Sequence, residues 1–305
     1  MYTERPHGTS RASMRHRDTL LAYLELTKPK VVLLNLLVGL VSFILATPAP
    51  PLIPLCIFLV TGYLVAGGCG AINCWYDRDI DRLMTRTAER AIPREVLSLR
   101  QVLLFGSALL AAGLLAAALA LSALTAVMMA AGAGTYIIIY TIWLKRTSPL
   151  NVVLGGAAVC FAAFAGWTAA GAQFPALTPV MIALLGFFWT PGHFWALATY
   201  RDDDYRRAHI PMLPARAGRY TTARAICTWN AATVGLTLLI PVLTTIDRLT
   251  LVVMVPAGLL LLYLSRGLLR SPSDGEAVRL FSFSIVYLMS VLLALLVLAD
   301  GLPTL

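Results

Sequence analysis

Three oxygen-bearing side chains, Asn73, Asp77 and Asp81, fall at i, i+4 and i+8 within the run NCWYDRDID. On a helix this spacing puts all three on one face, about 6 Å apart along the axis per step. Hard cations such as Mg2+ take oxygen ligands and commonly bridge one or two carboxylates to substrate phosphates. The ladder therefore suits a magnesium-bound diphosphate, with Asp79 turned away toward solvent or a neighbouring arginine. The competing reading is a solvated helix end; against it, polar groups beside long apolar runs are costly and usually functional.

A second acidic cluster, Asp202 to Asp204, sits in YRDDDYRR. Three consecutive aspartates point in different directions on any regular element, so the cluster gains weight from its company. Arg201, Arg206 and Arg207 accompany it, as Arg78, Arg82, Arg86, Arg90 and Arg94 accompany the first cluster. A diphosphate needs both parts: carboxylates to hold the metal, and guanidinium or ammonium groups to take the outer oxygens. The bias of basic residues to one membrane side would account for most of these arginines taken singly. Lys145 and Arg146 end another apolar run level with the aspartates, and Lys145 is placed to reach a departing diphosphate. His193 lies four residues after Trp189 in an otherwise apolar run. Imidazole there needs a partner, either a neighbouring helix or the iron of a porphyrin.

The elements that carry these residues are membrane helices. Of 305 residues, 59% are hydrophobic and 13% charged, whereas a soluble domain has roughly half and a quarter. Apolar stretches of bilayer-spanning length recur near 31–47, 52–73, 102–121, 123–143, 152–172, 177–199, 224–245, 249–269 and 280–299. The fold class expected is an all-α polytopic bundle of nine transmembrane helices. The net charge of +9 does not call for nucleic acid. With the N-terminus inside, 23 of the 24 Lys and Arg lie in inside segments and only Arg248 lies outside, the asymmetry that fixes orientation in a bilayer. The five cysteines form no CxxC pair and read as small buried hydrophobes. Residues 1–22 read as a disordered cytoplasmic tail and 23–305 as one membrane domain. Gly155 and Gly156 suit close helix approach in lipid.

With these residues in view, the chain resembles the UbiA superfamily of intramembrane prenyltransferases. Within it, four stretches look like the protoheme IX farnesyltransferases: LTKPKVVLLNLLVG at 26–39, NCWYDRDIDRLMTRTAERAIP at 73–93, YTIWLKRTSPLNVVLGGAA at 140–158 and WTPGHFWALATYRDDDYRRAHIPMLP at 189–214. The resemblance implies a UbiA-type bundle that moves a farnesyl group from farnesyl diphosphate to a vinyl group of protoheme IX. Water addition then gives heme O, and Mg2+ is the cofactor. It implies metal binding by Asn73, Asp77, Asp81 and Asp204; together with the position of Lys145 at its helix end, catalysis is expected from Asp77, Asp81, Asp204 and Lys145. Substrate contacts fall to Asn73, Arg86, Arg90, Arg146, His193, Arg201 and Tyr205. The setting implied is a bacterial plasma membrane, or a mitochondrial inner membrane in a eukaryote, with the site cytoplasmic and a downstream heme-modifying enzyme as a further partner. Tyr200 stands where the superfamily often has an aspartate, and Gly192 and His209 depart from the family's pattern. Two rivals are an aromatic or quinone prenyltransferase, which the HFWALA and IPMLP segments oppose, and a membrane heme transporter, whose ionisable groups would lie nearer the midplane.

Overall fold

The computed structural model describes the backbone from Thr9 and the side chains from Asp18, up to Leu298, apart from residues 48, 86, 89, 91 and 93–95. In chain order the helices are α1 (Thr9–Leu26), α2 (Pro29–Ile44), α3 (Leu52–Tyr76), α4 (Arg78–Asp81), α5 (Leu99–Ala120) and α6 (Ala123–Gly134). A π-helix, Thr135–Leu144, continues α6 into α7 (Lys145–Thr147), followed by α8 (Asn151–Gly156) and α9 (Ala158–Ala169). Then come α10 (Leu177–Tyr200), α11 (Asp202–Arg207), α12 (Leu213–Leu243), α13 (Leu251–Arg270) and α14 (Asp274–Leu298). Among the described residues eight helical runs are long and apolar enough to cross a membrane. The bent pair Asp18–Leu26 and Pro29–Ile44, angled by 44°, makes nine. The protein is a multi-pass all-α membrane protein.

Local sequence explains where these helices begin. Pro29 opens α2, where its missing N–H is no loss. Ser98 and Gln101 form a reciprocal capping box on α5, and Ser122 caps α6. The segment 1–22 read as a tail overlaps α1, whose backbone is helical from Thr9. The stretch from Thr9 to Lys28 contains neither glycine nor proline and is rich in Leu, Ala, Met and Arg, all good helix formers.

Two lobes share the interior. In the first, α3 packs on α5, and α6 on α9; in the second, α10 packs on α12 and α14, and α13 on both α12 and α14. The helices α2, α9 and α10 join them. Gly39 and Gly166 make the α2–α9 crossing possible, since a Cβ on Gly166 would lie 2.0 Å from the Gly39 carbonyl oxygen. Gly155 and Gly156 serve as expected: added Cβ atoms would meet Tyr140 at 2.5 Å and Thr190 at 3.0 Å. In lipid such close approach replaces the hydrophobic effect as the packing device.

Candidate active site

The face of α3 carrying Asn73 ends at Asp77, whose backbone caps that helix and starts α4. The Asp77 N–H donates to the Asn73 carbonyl and the Asp81 N–H to the Asp77 carbonyl, both at 2.9 Å. The i, i+4, i+8 ladder is thus physically continuous. Asn73, Asp77 and Asp81 are all buried, Asp77 to 1% exposure. Burying carboxylates demands paired charge and hydrogen bonds, and each is met by its own cation. Lys145 Nζ donates to Asp77 Oδ2, which also accepts from Asn73 Nδ2 at 2.8 Å. Arg90 donates to Asp81 Oδ2 at 2.8 Å. Burial lowers the Arg90 pKa, but the charge and hydrogen bond of Asp81, together with smaller contributions from Cys74 and Tyr136, outweigh it and leave the pKa raised.

The π-helix supplies the opposing wall. Thr141 Oγ1 donates to the Tyr136 carbonyl five residues back, at 2.8 Å, and accepts from Asn73 Nδ2 at 2.9 Å. The wide turn therefore faces both Thr141 and Lys145 onto α3, and such turns recur at functional sites. Lys28, in the left-handed region (φ 52, ψ 56) just before Pro29, donates to Asn73 Oδ1. A side chain held in that backbone region costs of order 1–3 kcal/mol unless its surroundings enforce it. The Asn73 amide is thereby fully oriented, with its oxygen turned to Lys28. Neither Lys28 nor Thr141 was anticipated; the polar TK step immediately before an apolar helix was the available signal for the former.

Asp79 does leave the common face. Its carboxylate takes two hydrogen bonds from Arg146, each 2.7 Å, and this hydrogen bonding to Arg146 lowers its pKa from 3.8 to about 2. Arg146 also lies over the Tyr76 ring, 4.9 Å from its centroid, and its Nη2 stands 3.8 Å from Asp77 Oδ1. The Tyr76 face is thus already occupied by a guanidinium.

The second cluster closes onto the first through Thr85. Asp204 Oδ1 accepts from the Thr85 backbone N–H at 3.2 Å and from Arg207, while Arg207 donates to Thr85 Oγ1 at 2.7 Å. Burial pushes the Asp204 pKa up, but the Thr85 and Arg207 donors outweigh it and hold it below its usual value. The arginine at Asp204 is therefore Arg207. The expected partner, Arg201, lies with its guanidinium 5.0 Å from the Tyr200 ring centroid. Asp202 is buried and pairs with Arg206 at 3.0 Å, Asp203 faces outward, and Tyr205 is buried. Arg86 lies outside the described residues.

Among the described residues five buried atoms of acidic and basic side chains have no hydrogen-bond partner: Asp77 Oδ1, Asp202 Oδ1, Asp204 Oδ2, Arg146 Nε and Arg201 Nε. Unsatisfied buried carboxylate oxygens are expensive, and at this end of the bundle they suit a cation. Among the described residues no three His, Cys, Asp or Glu side chains converge as a ready-made metal cage. Magnesium needs none, since it binds through one or two carboxylates plus substrate phosphates and water. The residues present fit it in that mode, with Asn73 engaged elsewhere through its oxygen.

His193 does not face lipid. It is stacked between Trp189 (centroids 4.2 Å, 18°) and Phe281 (4.6 Å, 25°), with Phe194 edge-on. Ser284 Oγ donates to the Phe281 carbonyl at 2.7 Å, so at its 2.7 Å contact with His193 it accepts, which puts the ring proton on Nδ1. Trp189 Nε1 donates to the Ser284 carbonyl at 2.8 Å. This assembly ties α10 to α14 and leaves the lone pair on Nε2. The Gly192 departure has a local reason, since a Cβ there would lie 2.1 Å from Asn230 Oδ1. His209 adopts a positive φ of 53°. The helix carrying His193 ends at Tyr200, so Asp204 stands on a separate turn.

A family model described as the UbiA prenyltransferase family matches residues 32–298. A protoheme IX farnesyltransferase of Acidiphilium cryptum is 39% identical over 283 residues, which cover 90% of this chain and 89% of that protein. One from Mycobacterium avium is 40% identical over 302 residues, 96% of each. The fold is similar to that of a UbiA homolog from Archaeoglobus fulgidus solved with DMAPP and Mg2+, with a TM-score of 0.66, 22% identity and coverage of 90% of this chain and 99% of that one. Matched along nearly its whole length both by the family model and by relatives well above 30% identity, the chain belongs to the UbiA prenyltransferase family.

Proposed function

We propose that this protein transfers the farnesyl group of farnesyl diphosphate to a vinyl group of protoheme IX. The allylic carbon–oxygen bond breaks with its electron pair going to diphosphate, and the vinyl π electrons form the new carbon–carbon bond. Water captures the resulting cation, losing a proton to solvent, and the product is heme O. One observation carries the donor half of this reading. Asp77, 1% exposed, keeps one oxygen without a hydrogen bond in a ring of Lys145, Arg146 and Asn73 at one end of the bundle. The acceptor half is supported by the near full-length likeness to protoheme IX farnesyltransferases.

The chain's own residues bind, orient and neutralise. Lys145, Arg146, Arg90 and Arg207 offer donors for the outer oxygens of a diphosphate, and preorganised donors of this kind stabilise charge as it develops. A magnesium ion held by Asp77, Asp81 and Asp204 would supply Lewis-acid neutralisation of the leaving group. His193, with Nε2 bearing the lone pair, is the residue we assign to the heme iron, and Tyr205 and Arg201 line the same end. The asymmetry of the basic residues supports a cytoplasmic active end; we assign the chain to a bacterial plasma membrane, in keeping with its bacterial relatives, as a single membrane domain over 23–305.

The test is purified protein with farnesyl diphosphate, heme and Mg2+, read by product mass. A product of heme plus farnesyl plus water is expected. Farnesylation of an added quinone precursor in place of heme would overturn the acceptor, and heme binding with no product would overturn the transferase.

A further inference from the structure

An apolar cavity runs into the membrane from beneath Asn73. Its wall on α3 is formed by Phe58, Gly62, Val65, Ala66, Cys69 and Gly70, spaced so that they share one helix face. Lys28 and Tyr136 also line it, and both belong to the network around Asn73: Lys28 through Asn73 Oδ1, and Tyr136 through Thr141. Lys28 and Tyr136 therefore belong both to the cavity wall and to the hydrogen-bond network at the proposed diphosphate end. By helical rise, Gly70 lies about 4.5 Å from the level of Asn73, Gly62 about 16 Å and Phe58 about 22 Å.

With the isoprenoid tail lodged in this cavity, as a prenyltransferase requires, we propose that Phe58, at its far end, limits the tail to three isoprene units. The inference rests on the prenyl-transfer reading and adds to it the residue that selects chain length. With carbon–carbon bonds of about 1.5 Å, an extended chain advances about 1.25 Å per bond, so farnesyl spans roughly 15 Å and each further isoprene unit adds about 5 Å. A farnesyl chain starting at Asn73 ends beside Gly62, and a geranylgeranyl chain meets the Phe58 ring. That ring cannot swing aside easily. It is 2% exposed, stacked on Phe43 (5.9 Å, 24°), and set so close to Gly39 that a Cβ there would lie 2.6 Å from its Cζ. Shape, rather than any polar contact, makes the selection.

The experiment compares kcat/KM of the full-length wild type, Phe58→Ala and Ala66→Leu with geranyl, farnesyl and geranylgeranyl diphosphates, with heme and Mg2+ present. Wild type should favour farnesyl. Phe58→Ala should move the geranylgeranyl-to-farnesyl ratio up by about tenfold or more, the discrimination a few buried carbons command. Ala66→Leu, halfway down the wall, should lower the farnesyl-to-geranyl ratio by a similar factor. If Phe58→Ala does not fold, Phe58→Leu with Ala66→Leu gives the same reading. Ratios unchanged in both variants of an active enzyme would overturn the role of Phe58 alone. A wild type inert toward all three diphosphates would instead overturn the transferase reading and this one with it.

Discussion

Asp77 and Lys145 are joined across the site: the ammonium donates to Asp77 Oδ2 from the end of the π-helix, while Asp77 Oδ1 remains buried without a hydrogen bond. Asp77 is thus both a neutraliser of Lys145 and a carboxylate with one oxygen to spare. Asp77→Ala would strand a nearly buried ammonium, at a cost of about 3 kcal/mol or more, and confuse folding with catalysis. Asp77→Asn keeps the shape. We expect it to lower heme O formation by at least about 10²-fold, the scale of one lost charge-stabilising group, with the protein still folded by thermal unfolding in detergent. Near-normal turnover in that variant at ordinary magnesium would remove Asp77 from the metal-diphosphate site.

Asp79, two residues on, should behave differently. Its side chain is 59% exposed and paired with Arg146, and exposed pairs contribute about 0–1 kcal/mol. Asp79→Ala should therefore leave most activity intact. Its carboxyl should titrate near 2, below the ordinary 3.8. Since the folded-state value is the lower one, the pair's contribution is present above the ordinary value and is lost as pH falls toward 2. Carbon-13 NMR of labelled aspartate reads this directly, and Arg146→Ala should return the titration to the usual range. A carboxyl near 3.8 in the unsubstituted protein would contradict the Arg146 pairing.

Asp204 and Thr85 link the two acidic segments, so their substitutions should separate binding from architecture. Asp204→Asn removes the charge that faces the site, and magnesium-dependent affinity for farnesyl diphosphate should fall by about ten- to a hundredfold, the worth of a charged hydrogen bond at 1.5–3 kcal/mol. Thr85→Val deletes only the hydroxyl that accepts from Arg207 and keeps the backbone donor to Asp204. Its effect should stay within about fivefold, roughly 1 kcal/mol. Isothermal titration with farnesyl diphosphate distinguishes them, and equal losses would mean that Thr85 acts on the substrate itself.

The long apolar runs made the helices legible, and the 3.6-residue period made the Asn73–Asp77–Asp81 face legible. What remained hidden lay in contacts between distant segments. Thr85 meets Asp204 across 119 positions and Thr141 meets Asn73 across 68, and no local pattern encodes either. The π-helix was equally invisible, because Thr135–Leu144 reads as ordinary apolar helix. Arg201, Arg206 and Arg207 are equivalent neighbours of Asp204 in the sequence, and only the break at Arg201 (φ −111, ψ 24), which separates α10 from α11, turns Arg207, one turn after Asp204, onto its carboxylate.

His193 and Ser284 pose the sharpest question, because the same geometry serves a structural pin and an iron ligand. Ligating histidines usually donate their other ring N–H to a neighbouring acceptor, which fixes the tautomer and raises ligand basicity. Ser284 is such an acceptor, and Trp189 and Phe281 hold the ring plane from both sides. Removing the ring altogether would leave a cavity costing on the order of 3 kcal/mol, so His193→Ala alone cannot separate the two roles. His193→Gln fills most of the volume and can still bond Ser284, but it offers iron no imidazole. We expect that variant to lose heme affinity and shift the heme absorption band while retaining magnesium-dependent binding of farnesyl diphosphate. Ser284→Ala, which frees the tautomer, should weaken heme binding less and shift the band in the same direction. An unchanged band and unchanged heme affinity in His193→Gln, with a lower Tm, would assign His193 to the α10–α14 contact and leave the porphyrin iron to another ligand.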